Sequence, residues 1–238
     1  LTDSQRTVLE HCLDKTLFLE GPAGSGKTTT AIFHLRNLQK QGIPTETILI
    51  LVPQRTLAMP YYTFLREPSQ PAGGTASIVT LSGLAQRMIE LFWPLIAQNA
   101  GFAQPTQPPI FLTLETAQYY MARIVEPLIE SEGFFESVNL DQNRIYSQIL
   151  DNLNKSAAIG IPLEDIGTRL KKAWGGKPSQ MVVYDQMQEC AIRFRRFCLQ
   201  HNLLDFSLQL NVFCKHLWTS WLCQQYLLNR YQHLILSL

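Results

Sequence analysis

The strongest chemical signal lies in the stretch FLEGPAGSGKTTTAIFHL, at Gly21-Pro22-Ala23-Gly24-Ser25-Gly26-Lys27-Thr28. These residues fit the pattern GxxxxGK[ST] at every position. Glycines let a backbone curl until successive N–H groups point inward, a cradle for phosphate oxygens. A lysine at position 27 reaches β- and γ-phosphates, and a hydroxyl at Thr28 ligates Mg²⁺. Thr29 continues the same turn. If a helix starts near Lys27, its positive dipole end adds to the pull on the anion. The chemistry implied is the grip of a nucleoside triphosphate, ATP, with its magnesium.

Such a loop needs a strand before it and a helix after it. TLFLEG, Thr16 to Gly21, reads as a buried strand. Thr28 to Gln41 reads as a helix with Ile32, Leu35 and Leu38 on one face and Gly42 just past its end. TILILVP, Thr47 to Pro53, is a continuous apolar run of strand length, suited to a parallel sheet buried on both faces. ASIVTLSG, Ala76 to Gly83, is a third strand, followed by a helix from Leu84 to about Ile96. The alternation predicts a doubly wound α/β core. From Gly101 to Phe111 the chain is rich in proline and polar residues, a crossing point between subdomains. Leu112 to His201 is helical in pattern, two more helices follow, and HLILSL returns to strand character. The expected division is a core of residues 1–100 and 202–238 around a helical insertion at 101–201.

The 238 residues are 46% hydrophobic and 16% charged with a net charge of +1, so bulk charge argues for no partner. No apolar run reaches the ~18 residues of a membrane span, and no leader peptide is visible. Five cysteines, odd in number and without a CxxC pair, fit reduced thiols in the cytoplasm. The five histidines show no metal-ligand spacing. The first residue is Leu1 rather than Met, so the true start is expected upstream.

Thr2-Asp3-Ser4-Gln5 has two readings. It fits a helix capping box, with Gln5 folded back on Thr2. Alternatively, the Gln5 amide pairs with the N6/N7 edge of adenine, donor to acceptor and acceptor to donor. Spacing alone does not choose between them.

LTDSQRTVLEH followed by LFLEGPAGSGKTTT resembles the N-terminus of UvrD/Rep-type helicases of superfamily 1, which open with a Q motif and a phosphate loop. ILILVPQRTLA, Ile48 to Ala58, stands where that family has motif Ia, and IVTLSGLAQRMI resembles its TFH-like segment. HNLLDFSLQL and RYQHLIL resemble the approach to motif II and its strand. The resemblance touches both ends of the chain and leaves the helical middle unmatched. It implies a RecA-like P-loop NTPase fold, α/β with a mostly helical insertion, and it implies adenine reading by Gln5. It implies contact with single-stranded DNA through Pro53, Gln54, Arg55 and Ser82. Two departures bear on that path. Pro53 holds the place of the family's motif Ia aromatic, and LVPQ looks like the corresponding segment of AddB-type subunits of helicase–nuclease complexes. Ser82 replaces the histidine of the TFH-like motif.

Motif II of the family ends its strand with Asp-Glu. If Leu234-Ile235-Leu236 is that strand, Ser237 and Leu238 occupy those positions. Neither ligates a hard cation as a carboxylate does or acts as a general base. Asp205 in LLDFS reads as a helix N-cap, so it is no substitute. No complete catalytic set is present. The expectation is a chain that binds ATP, hydrolyses it negligibly, and forms part of a longer motor that also carries a second such domain.

The insertion is electrically polarised. Phe111 to Thr168 carries three basic and nine acidic residues, whereas Arg169 to Gln200 carries seven basic and two acidic. RLKKAWGGK sets Trp174 among Lys171 and Lys172, suited to nucleic-acid backbone contact plus base stacking. The same residues also suit a solvated helix face with the tryptophan tucked inward. The partners expected are single-stranded DNA and a second helicase or nuclease subunit. The competing reading is a non-motor, AddB-like subunit.

Overall fold

The computed structural model describes residues 2–3, 6–7, 16–68, 70 and 73–237, and of Ser179 only the backbone. Two compact units emerge: residues 1–84 with 222–238, and residues 85–221.

The first unit is built on a parallel three-stranded sheet. Its strands are β1 (Ile48–Val52), β2 (Ser77–Thr80) and β5 (His233–Leu236), in the order β2-β1-β5. Ile50 sits level with Ile78 on one side and Ile235 on the other. ILILV can hold the centre because it is apolar on both faces and β-branched at alternate positions. Helix α1 (Lys27–Lys40) packs on this sheet, and its Leu35 and Leu38 share one core with Ile48, Ile50 and Tyr61. The helix ends as the sequence predicts. Gly42 adopts φ +83°, its N–H donates to Gln39 O, and the Ile43 N–H donates to Leu38 O. That pair of bonds is a Schellman cap, which satisfies carbonyls the helix end would leave open. Helix α2 (Met59–Leu65) follows β1 and turns Tyr61 and Phe64 into the same core.

The expected strand Thr16–Gly21 is absent. Residues 16–22 take no regular structure, and Phe18 is 83% exposed. A strand exists only by pairing its N–H and C=O groups with a neighbour. Among the described residues β1 is flanked by β2 and β5, and no ladder reaches Thr16–Gly21.

The predicted helix from Leu84 to about Ile96 is two helices, α3 (Leu81–Leu91) and α4 (Trp93–Ala100). The break falls at Phe92, and Pro94 sits in the first turn of α4, where proline's missing N–H costs nothing.

The second unit is helical. Its long elements are α5 (Leu114–Glu132), α6 (Gln142–Ala158), α7 (Ile166–Ala173), α8 (Val182–Gln200) and α9 (Phe206–Thr219). Caps explain three of the starts. Thr113 accepts from Thr116 N–H, Asp141 from Asn143 and Arg144 N–H, and Asp205 from Ser207 and Leu208 N–H. Buried Met121, Ile149, Leu150 and Phe194 anchor the facing stripes.

The proline-rich stretch 101–111 lies inside this unit and is tied down. Ala103 N–H donates to Leu199 O, and Asn202 Nδ2 donates to Gln104 O at 2.6 Å. Two short strands, β3 (Ile110–Phe111) and β4 (Leu203–Leu204), pair in parallel beside it. Helix α10 (Trp221–Arg230) carries the chain back to β5. Among the described residues no helix is long and apolar enough to cross a membrane.

Candidate functional site

The phosphate-loop residues form a turn that feeds directly into α1. Gly24 and Gly26 take φ +78° and +83°, values an L side chain resists. Gly26 is the residue before the helix, and no side chain caps the helix start. No acidic residue stands in its first turn. The first N–H groups of a helix lack intrahelical partners, and the residue before this one, a glycine, has no side chain to cap them. That is the electrostatic setting of an anion site.

Lys27 folds over this turn. Its Nζ donates to Gly21 O at 2.7 Å and to Pro22 O at 3.0 Å. Two neutral carbonyls hold the ammonium beside the loop without quenching its charge, so it remains available to a phosphate. Thr30 Oγ1 and N–H both return to Gly26 O, fixing the first helical turn. Thr28 is half-buried, while Pro22, Ala23, Gly24, Ser25 and Thr29 are exposed to an approaching ligand. This arrangement fits a triphosphate on chemical grounds. It offers helix N–H groups without a side-chain cap from Gly26, the Lys27 cation, the hydroxyls of Ser25, Thr28 and Thr29, and no carboxylate in the first helical turn.

The sheet orients further residues toward one edge. All three strands are parallel, so the residues after each strand gather at the carboxyl edge, where α/β folds take ligands. Pro53, Gln54 and Arg55 follow β1 and are exposed. Ser82 sits in the first turn of α3, directly after β2. Ser237 follows β5, and its N–H donates to Leu51 O at 2.9 Å. The sequence reading missed Tyr61. It is fully buried in α2, close to Ser237, and burial raises its phenol pKa. The signal was there in AMPYYTFL, where Tyr61 and Phe64 are three apart on one helical face.

Gln5 and Leu238 lie outside the described residues. Lys171, Lys172 and Trp174 belong to the second unit, and the phosphate loop to the first. Lys171 is ion-paired with Asp185. Trp174 Nε1 donates to Lys177 O at 3.2 Å, and its ring meets Tyr184 edge-on with centroids 5.8 Å apart. Lys172 is exposed.

Residues 2–92 match the model of the DEAD/DEAH box helicase family. No curated protein matches the chain. The match covers less than half of the 238 residues and includes the phosphate loop, β1, β2 and α3. Loop, parallel sheet and match together support an α/β P-loop NTPase fold, with residues 2–92 similar to a helicase domain.

Proposed function

We propose that the chain supplies the ATP-binding module of a UvrD/Rep-like superfamily 1 DNA helicase. The observation that carries this reading is the loop Gly21–Thr28, with Lys27 on its carbonyls and an uncapped α1 behind it. Return of β5 to the side of β1 from the far end of the sequence favours a core made by both chain ends around an insertion, the division read from the sequence as 1–100 and 202–238 around 101–201, whereas the compact units part at 84 and 222. Gln5 is the residue proposed to read adenine. Thr28 would hold the magnesium that accompanies ATP and neutralises phosphate charge.

The test is calorimetry of Mg·ATP and Mg·GTP with the 238-residue chain. Lys27→Ala should weaken ATP binding by about tenfold or more, since a charge-assisted phosphate contact is worth about 1.5–3 kcal/mol. Gln5→Ala should erase a preference for ATP over GTP. Equal ATP affinity with and without the Lys27 ammonium would sink the assignment.

A second reading, a non-motor AddB-like subunit, is favoured by Pro53-Gln54 after β1 and by Ser237 after β5. A serine hydroxyl neither ligates magnesium as a carboxylate does nor takes a proton from water at neutral pH. The chain should therefore release no phosphate from bound ATP, with or without single-stranded DNA. Steady turnover would show that another carboxylate acts. Asp205 is poorly placed for that, being buried and committed to the start of α9.

A further inference from the structure

The second unit contains a cavity of about 440 Å³, set among α4, the turn at Pro162–Glu164, α8 and α9. Ile96 and Val212 contribute apolar wall, and Arg195, His216 and Lys215 contribute nitrogen. The volume lies within the range of ~300–1,000 Å³ usual for small-molecule sites.

Arg195 is the unusual member. It is only 8% exposed, yet among the described residues it forms no ion pair. Its Nη2 donates to Ser207 Oγ at 2.7 Å, and that hydroxyl donates to Asp205 Oδ2 at 2.5 Å. The Asp205 carboxylate is itself taken up by the Ser207 and Leu208 N–H groups. Arg195 Nε has no hydrogen-bond partner, and neither has His216 Nε2 on the facing helix. A buried cation with no carboxylate in direct contact is costly even where, as here, Asp205 stands one hydroxyl away, and so is a buried polar nitrogen without a partner. One anion in the cavity would meet both needs.

We propose that this cavity binds a small organic monocarboxylate, its carboxylate on Arg195 and its apolar body against Ile96 and Val212. With the Asp205 carboxylate already one hydroxyl away from the guanidinium, the site favours no more than one further negative charge. Glu164 at the rim stands against a dianion, and Lys215 at the exposed end draws an acid in. Burial lowers the His216 pKa, so at neutral pH the ring can donate a hydrogen bond without adding charge. The site is separate from the phosphate loop, and its test does not depend on ATP.

The experiment is titration of the 238-residue chain with benzoate, followed by calorimetry and thermal melting, with inorganic phosphate as the comparison anion. Benzoate should bind saturably and raise the melting temperature. Arg195→Met should weaken benzoate by about tenfold or more. This variant keeps an unbranched apolar stem, shorter than that of arginine, and replacing a buried charge by an apolar side chain is often tolerated. Lys215→Glu changes an exposed residue and should also weaken benzoate without lowering the melting temperature of the free chain. No saturable benzoate binding, undiminished affinity in both variants, or phosphate binding more tightly than benzoate would each overturn the proposal.

Discussion

A Cβ added to Gly21 would stand 2.7 Å from Ser25 Oγ and 3.3 Å from Ser25 Cβ. The first distance is a clash with the end of a rotatable side chain, and the second is tight but tolerable. Gly21→Ala should therefore push Ser25 outward and disturb the loop that presents its N–H groups. Overpacking of this kind costs about 1 kcal/mol at the low end, roughly fivefold in affinity. Gly21→Ala with Ser25→Gly should recover most of the ATP binding measured by calorimetry. If the double variant binds no better than Gly21→Ala alone, the steric account fails. Gly26→Ala offers the contrast. Its φ of +83° strains any Cβ by about 1–2 kcal/mol, so Ser25→Gly should not rescue it. At this scale the sequence was highly informative. The loop needs glycine at set offsets, and those needs come from backbone geometry within eight residues. Tyr61 beside Ser237 was not legible, because the pairing brings together positions far apart in the chain.

Among the elements, α1 and β5 are joined by an electrostatic weakness as well as by packing. His34 on α1 has its Nδ1 buried without a partner. Burial lowers its pKa from the usual 6.5, and the charge of His233 at the start of β5 lowers it further. The folded chain therefore binds this proton less readily than the unfolded chain does. Its full contribution to stability is present above about pH 6.5 and is lost as pH falls through 6.5 toward the folded value. Urea midpoints should drop between about pH 7.5 and 5.5, and His34→Gln should flatten that slope. An unchanged slope would exonerate His34. The elements themselves divide by how local their causes are. Ile48–Val52 was readable as a strand because an apolar run of that length suits a two-sided burial. Asp205 was readable as a cap because its bonds reach only two and three residues ahead. Thr16–Gly21 misled, since apolar content predicts a wish for burial and says nothing about a pairing partner. The two-residue strands β3 and β4 carry no periodic signal, being set by Asn202 and the pinned loop before Ile110.

For the whole molecule, the polar division of charge has a measurable consequence. The net charge of +1 conceals a basic stretch from Arg169 to Gln200. The structure reduces what that stretch can offer. Lys171 is paired with Asp185, Arg193 with Glu189 and Glu132, and Arg195 is buried. Arg169, Lys172 and Lys177 are, like Arg196 on α8, exposed and, among the described residues, form no ion pair. Their placement on α7 and the loop after it puts them within a few residues of Trp174. If they meet the phosphates of a single strand, three contacts should give a plot of log affinity against log salt with a slope of about −2, at ~0.7 per phosphate. Fluorescence anisotropy with an oligothymidine, from low to physiological salt, measures it. Replacing the three by glutamine should bring the slope toward zero and leave ATP binding unchanged, since the phosphate loop belongs to the other unit. Trp174→Ala should cost less than a freely stacking aromatic would, because its indole N–H and one ring edge already serve Lys177 and Tyr184. A slope near zero in the unaltered chain, or one that persists after all three cations are gone, would remove this face from the nucleic-acid path.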